Sequence, residues 1–95
     1  MAAYIISNVN VRDLAAYQDY ATGVPPLIRK HGGEYIVRGG AAEVLEGEWK
    51  PYRLVVLKFP DMAAAKAFVN DPEYQPFKSL RHRIADTQML AVEGV

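Results

Sequence analysis

The sequence contains no cysteine. Disulfides, thiolate catalysis and cysteine-based zinc sites are thereby excluded. It carries no net charge either, because 11 basic residues balance 11 acidic ones. A neutral chain offers no electrostatic case for nucleic acid or for an anionic membrane surface. No apolar run nears the roughly 20 residues of a membrane-spanning helix. Met1-Ala2-Ala3-Tyr4-Ile5-Ile6 enters a strand pattern with no basic stretch ahead of it. No signal peptide is read there, and a cytoplasmic location is expected. There is no Walker loop, no Gly-x-Gly-x-x-Gly turn and no Gly-x-Ser-x-Gly elbow, and Ser7 and Ser79 have no triad-like surroundings. The two histidines, His31 and His82, show no metal-ligand spacing with the scattered carboxylates, so neither metal nor cofactor is expected.

What is present is half apolar, at 51% hydrophobic residues over a length of 95, enough for one domain. A chain this short buries only about two-thirds of its unfolded surface, so self-association would help it. The longest β-favouring run, Tyr52 to Phe59, is closed by Pro60. Arg53, Val55, Leu57 and Phe59 share one face; Leu54, Val56 and Lys58 share the other. A strand with aliphatic residues on both faces needs cover on both.

Around that strand the other elements fall in order. Residues 3–11 alternate as a first strand, with Ile5, Ser7 and Val9 on one face and Tyr4, Ile6, Asn8 and Asn10 on the other. Asp13 is a natural N-cap for a helix whose inward stripe is Leu14, Tyr17, Tyr20, Val24, Leu27, Ile28 and His31. Pro25-Pro26 removes two backbone donors and predicts a break near 22–25. Gly32-Gly33 ends the second piece. Glu34 to Gly39 is the second strand, with Glu34, Ile36 and Arg38 on one face and a bend at Gly39-Gly40. Glu43-Val44-Leu45-Glu46 continues it after the bend. Pro60-Asp61 caps a helix with Ala64, Ala65 and Phe68 inward. Asn70-Asp71-Pro72 ends that helix, and another starts at Tyr74 or Gln75 and runs to Arg83. Thr87 to Glu93 is the last strand.

The order β-α-β-β-α-β gives an α+β, ferredoxin-like fold: a four-stranded antiparallel sheet with helices on one face. Ile6, Ile36, Leu54 and Val56 then lie on a bare face, and an apolar sheet face of that size is an association surface. A homodimer packed through it is the expected assembly, with Trp49, alone in a polar turn, at the interface. An RNA-binding module of the same order would show aromatics on its third strand where this chain has Leu54, Val56 and Lys58.

The ordered set Ala3-Tyr4-Ile5, Tyr17 and Tyr20, Gly32-Gly33 with Arg38-Gly39-Gly40, Val44 through Trp49, Phe59-Pro60 and Asp71-Pro72-Glu73-Tyr74-Gln75 with Leu80-Arg81 resembles one family over essentially the whole chain. It is the small bacterial domain of unknown function thirteen-thirty, within the dimeric α/β barrel superfamily. The resemblance implies a ferredoxin-like subunit whose sheet packs on a twofold mate. It implies no reaction. More distant relatives include cofactor-free oxygenases and muconolactone isomerases, which is an analogy of fold.

Chemistry is expected at few places. Arg81 falls inside the stripe Phe77, Leu80, Ile84 and needs a partner. Three readings stand: a clamp for an anionic ligand, a structural ion pair with Asp86 or Glu93, or a snorkelling side chain. Asn8, Arg38 and Lys58 share the bare face and are expected to converge as the polar groups of a small-molecule pocket, or else as a solvated ion network. His31 ends a helix and is either a cap or a general base. Tyr74 is the tyrosine placed to carry a proton beside Arg81. The functional readings are a cofactor-free enzyme, oxygenase- or isomerase-like, acting on a small anionic or aromatic compound, and a non-catalytic dimer that binds or senses such a compound.

Overall fold

The computed structural model describes residues 1–95. Strands β1 (Ala3–Val11), β2 (Glu34–Arg38), β3 (Arg53–Phe59) and β4 (Ala85–Glu93) form one antiparallel sheet in the order β2-β3-β1-β4. Helices α1 (Leu14–Gly23), α2 (Pro25–Lys30), α3 (Met62–Val69) and α4 (Gln75–Ile84) complete the chain. The core lies between sheet and helices, where Ile5, Leu57 and Phe59 meet Val24, Ile28, Ala65, Phe68 and Tyr74. Phe68 stacks between Phe59 and Tyr74, with ring centres 5.6 and 4.5 Å away. β4 begins at Ala85, two residues ahead of the expected start, because Arg12 and Asp13 N–H groups donate to Ile84 O and tie β1 to the end of α4. The chain ends are also tied: Gly94 N–H donates to Ala2 O at 2.7 Å, and Ala3 faces Glu93 in the ladder.

Local chemistry explains the helix ends. Asp13 and Asp61 accept from the backbone N–H three residues on, at 3.0 and 2.8 Å. Gly32, at φ 76°, closes α2 in a left-handed cap, with Gly33 N–H donating to Ile28 O. The proline break falls where expected, between Gly23 and Pro25. Without N–H groups, Pro25 and Pro26 leave the Ala21 and Thr22 carbonyls unclaimed within the helix. Arg38 Nη2 donates to Ala21 O at 2.8 Å.

That contact corrects the expected face of Arg38. β2 pairs Tyr35 with Leu57 but Val37 with Val56, so a bulge at Ile36 sets two residues of β2 against one of β3. Beyond the bulge the alternation is reversed. Arg38 lies opposite Val55 on the helix side, its guanidinium 4.3 Å from the centre of Tyr35's ring. Val37 joins the bare face, where Val37, Val56, Ile6 and Leu90 form one apolar row across all four strands.

Two further expectations differ. Glu43 to Glu46 is not a strand; residues 40–50 form an exposed, irregular arm held at its far end by Asn8, whose side chain donates to Lys50 O and accepts from Tyr52 N–H. Leu14 is 67% exposed, so the inward stripe of α1 begins at Tyr17. Arg38→Met is expected to cost about 1 kcal/mol, the worth of one hydrogen bond at a partly open site. Urea titration would detect it, and an unchanged midpoint would show that the Ala21 carbonyl does not need its donor.

Candidate functional site

Helical spacing brings tyrosines together. Tyr17 and Tyr20 stand one turn apart on α1, and Tyr74 and Arg81 two turns apart at and along α4. Both pairs point to the sheet, where Ser7 of β1 and Tyr35 of β2 meet them around a small closed cavity also walled by Met89. The Tyr17 and Tyr20 rings are stacked with centres 5.4 Å apart. The Tyr20 and Tyr74 hydroxyls share a 2.5 Å hydrogen bond. The cavity holds about 30 Å³, room for one or two waters, so an organic ligand must displace part of its wall.

Arg81 reaches this cavity with only 5% of its surface exposed. Neither expected ion-pair partner meets it: Asp86 pairs with Arg12 at 2.5 Å, and Glu93 makes no salt bridge. Its guanidinium lies 5.9 Å from the centre of Tyr20's ring, and its Nε has no partner. Burial pushes the Tyr20 phenol far above the ordinary tyrosine range, and the neighbouring Tyr74 adds to the effect. Burial also raises Tyr35. These phenols are therefore protonated hydrogen-bond donors at neutral pH. No Asp, Glu or His lines the cavity.

Arg53 also belongs to this layer, a residue that strand alternation placed correctly but gave no role. It lies opposite Val9, with its guanidinium 5.6 Å from the centre of Tyr17's ring. Gly39, at φ 71°, packs directly on it, and a Cβ there would collide with Nη1.

The other sequence candidates do not converge. Asn8 is occupied by the arm. Lys58 lies four residues along β3 from Asn8's neighbour Leu54, roughly 13 Å away. It faces Tyr4 and Glu34 across the neighbouring strands. Arg38 is on the opposite face. Trp49 is 62% exposed and lines an open polar groove with His82 and Asn8.

His31 caps α2 and stands outside the cavity. Its Nε2 lies 2.7 Å from Asp71 Oδ2, to which Lys30 Nζ also donates at 3.0 Å. Glu73 N–H donates to Asp71 Oδ1. The His31 contact foremost, then the Glu73 amide and Lys30, hold the Asp71 carboxyl well below the ordinary carboxylate range. A lowered folded-state pKa adds stability above the unfolded value, about 3.9, and that stability is lost as pH falls below it. Wild-type protein is therefore expected to weaken below about pH 4. Asp71→Asn should flatten that acid limb while lowering stability at neutral pH. Melting curves from pH 7 to 3 test this; parallel curves for the two proteins would refute it.

No helix is long and apolar enough to cross a membrane. A model of the family described as Domain of unknown function (DUF1330) matches residues 2–95, and the chain belongs to that family. No curated protein matches the sequence. Among solved structures, a protein of unknown function from Rhodopseudomonas palustris is similar at 18% identity and a TM-score of 0.78, over 99% of this chain and 82% of that one. A dimeric ferredoxin-like protein of unknown function from Jannaschia sp. CCS1 is similar at 13% identity and 0.74, over 99% and 100%. SnoaB, a cofactor-independent oxygenase from Streptomyces nogalater, is similar at 10% and 0.67, over 99% and 93%. At these identities the likeness establishes the α+β, ferredoxin-like fold.

Proposed function

We propose that this DUF1330 protein is a homodimer that binds a small organic anion between sheet and helices, with Arg81 as the clamp and the Tyr20–Tyr74 hydroxyl pair supplying a hydrogen-bond donor. One observation carries the reading: a buried guanidinium with no anionic partner. Such burial is costly unless something negative completes it, and a carboxylate or enolate does so with charge-assisted hydrogen bonds. The apolar walls with a few convergent polar groups fit a small-molecule site. The dimer reading is supported by the bare apolar row on the sheet and by the dimeric relative from Jannaschia.

Cofactor-free turnover is the second reading. It is favoured by the hydrogen-bonded phenols Tyr20 and Tyr74, placed to stabilise negative charge developing on an enolate oxygen. The relative from Streptomyces nogalater supports it at the level of fold. Binding ranks first because the cavity offers donors and no base: His31 is engaged with Asp71 outside it.

Native mass spectrometry of protein purified gently from cells is expected to show a dimer with extra mass, lost in Arg81→Gln. A bare dimer, together with melting curves indifferent to a panel of carboxylates and enols, would reject the anion site.

A further inference from the structure

The three buried side-chain atoms without a hydrogen-bond partner are Arg81 Nε, Arg53 Nε and Thr87 Oγ1. All lie on the helix side of the sheet. Arg53 and Thr87 occupy a single row of that face, each directly opposite Val9 on the central strand. Val9 and Arg81 both line the tyrosine cavity. Buried polar groups are normally satisfied, so two permanently charged orphans in one layer ask for a shared explanation.

Stacking on an aromatic ring does not supply it. Arg38 also stacks, on Tyr35, yet its guanidinium finds the Ala21 carbonyl. Arg53 and Arg81 sit on one ring each of the Tyr17–Tyr20 stack and make no salt bridge. Arg53 is not loosely placed, because Gly39 packs against its fork. A single carboxylate at Arg81 would leave the Arg53 and Thr87 donors as they are. Two acidic groups would answer both arginines, and the stacked Tyr17 and Tyr20 rings between them favour a flat, apolar spacer.

Resting on the anion-binding reading above, we infer that the ligand carries two anionic groups on a planar unsaturated frame, one held by Arg81 and the other by Arg53. An aromatic or conjugated dicarboxylate is the chemical class. A monoanion fills half of the site.

Calorimetric titration at low ionic strength tests this with two matched pairs, benzoate against terephthalate and acrylate against fumarate. In the wild-type protein at least one dianion is expected to bind about tenfold tighter than its monoanion, the scale of one more charge-assisted contact. Arg53→Gln should erase that advantage and leave monoanion affinity within about twofold. Dianions no tighter than monoanions in the wild type would overturn the second contact while leaving the Arg81 site standing. Arg53→Gln weakening both members of a pair equally would also overturn it, by making Arg53 a wall and not a contact. If nothing binds, monoanions included, both readings fall. Should Arg53→Gln not fold, Arg53→Lys, which keeps the charge without the fork, takes its place, and the wild-type pairs still decide.

Discussion

Methionine in place of Arg81 is expected to raise the melting temperature and abolish anion binding together. Arg81 is 5% exposed and meets no carboxylate. Its neighbours are neutral phenols: the ring of Tyr20 returns about 0.5–2 kcal/mol to the buried charge, and the Tyr20 and Tyr74 hydroxyls add polar contact without a compensating charge. Replacing buried ionic groups with apolar residues of similar volume is often stabilising, by about 1–4 kcal/mol. Methionine is long, unbranched and adaptable enough to fill the same path. At about 4–8 °C per kcal/mol for a domain of this size, a gain of about 1–2 kcal/mol is plainly visible in a melt. Alanine would not serve, because truncation leaves a cavity with its own cost. Scanning calorimetry at fixed protein concentration, paired with a benzoate titration, reads both effects. A lower melting temperature for the methionine variant would mean that Arg81 is held by interactions worth more than its desolvation, and the site would be structural. The expected result is a residue kept for binding at the expense of stability.

Val56→Glu is the second large effect. Val56 sits in the middle of the row Val37, Val56, Ile6, Leu90, which no helix of the same chain covers. Val37 and Leu90 are 40% and 56% exposed in the single chain. Burying one such aliphatic side chain contributes roughly 1.5–3 kcal/mol, a large share of a domain's total of about 5–15 kcal/mol. A twofold mate covers the row twice at once, since each copy presents the same face. A glutamate at its centre would put two unpaired carboxylates into that contact, at several kcal/mol each. Sedimentation velocity at micromolar concentration should show the wild type as dimer and the variant as monomer or unfolded. A wild-type monomer under those conditions would sink the assembly.

Much of this architecture is legible in the sequence because it depends on local rules. Asp13 and Asp61 precede their helices by one residue, Pro25-Pro26 cannot continue a helix, and β1 and β3 alternate without interruption. The site was legible only in part. Arg81 and Tyr74 stand out in the sequence because their spacing sets them on an inward helical face. Alternation puts Arg38 on the wrong face because it holds only while a ladder is regular. The single extra residue at Ile36 reverses everything after it, and nothing in Tyr35-Ile36-Val37 marks the bulge. Asn8 and Lys58 share a face by alternation, but their positions along the strands depend on register, which is set by long-range pairing. The meeting of Tyr17, Tyr20, Tyr35 and Tyr74 combines residues from three elements, so no local signal announces it. The partnerless state of Arg53 depends on everything around it.

The ladder contact between Ala3 and Glu93, with Gly94 bonded to Ala2, brings the outer ends of β1 and β4 side by side. The backbone is in effect a ring with one gap, and the exposed arm at 40–50 is a second place where the ring can be cut without severing a strand or helix. A short Gly/Ser bridge across the first gap and new ends in the arm would give a chain that begins with β3 and ends with β2. The tyrosine cavity would keep every wall, since β1, β2, α1 and α4 all remain whole. The succession of elements along the gene is thus one of at least two linear readings of the same object, and the chemistry is indifferent to which is used.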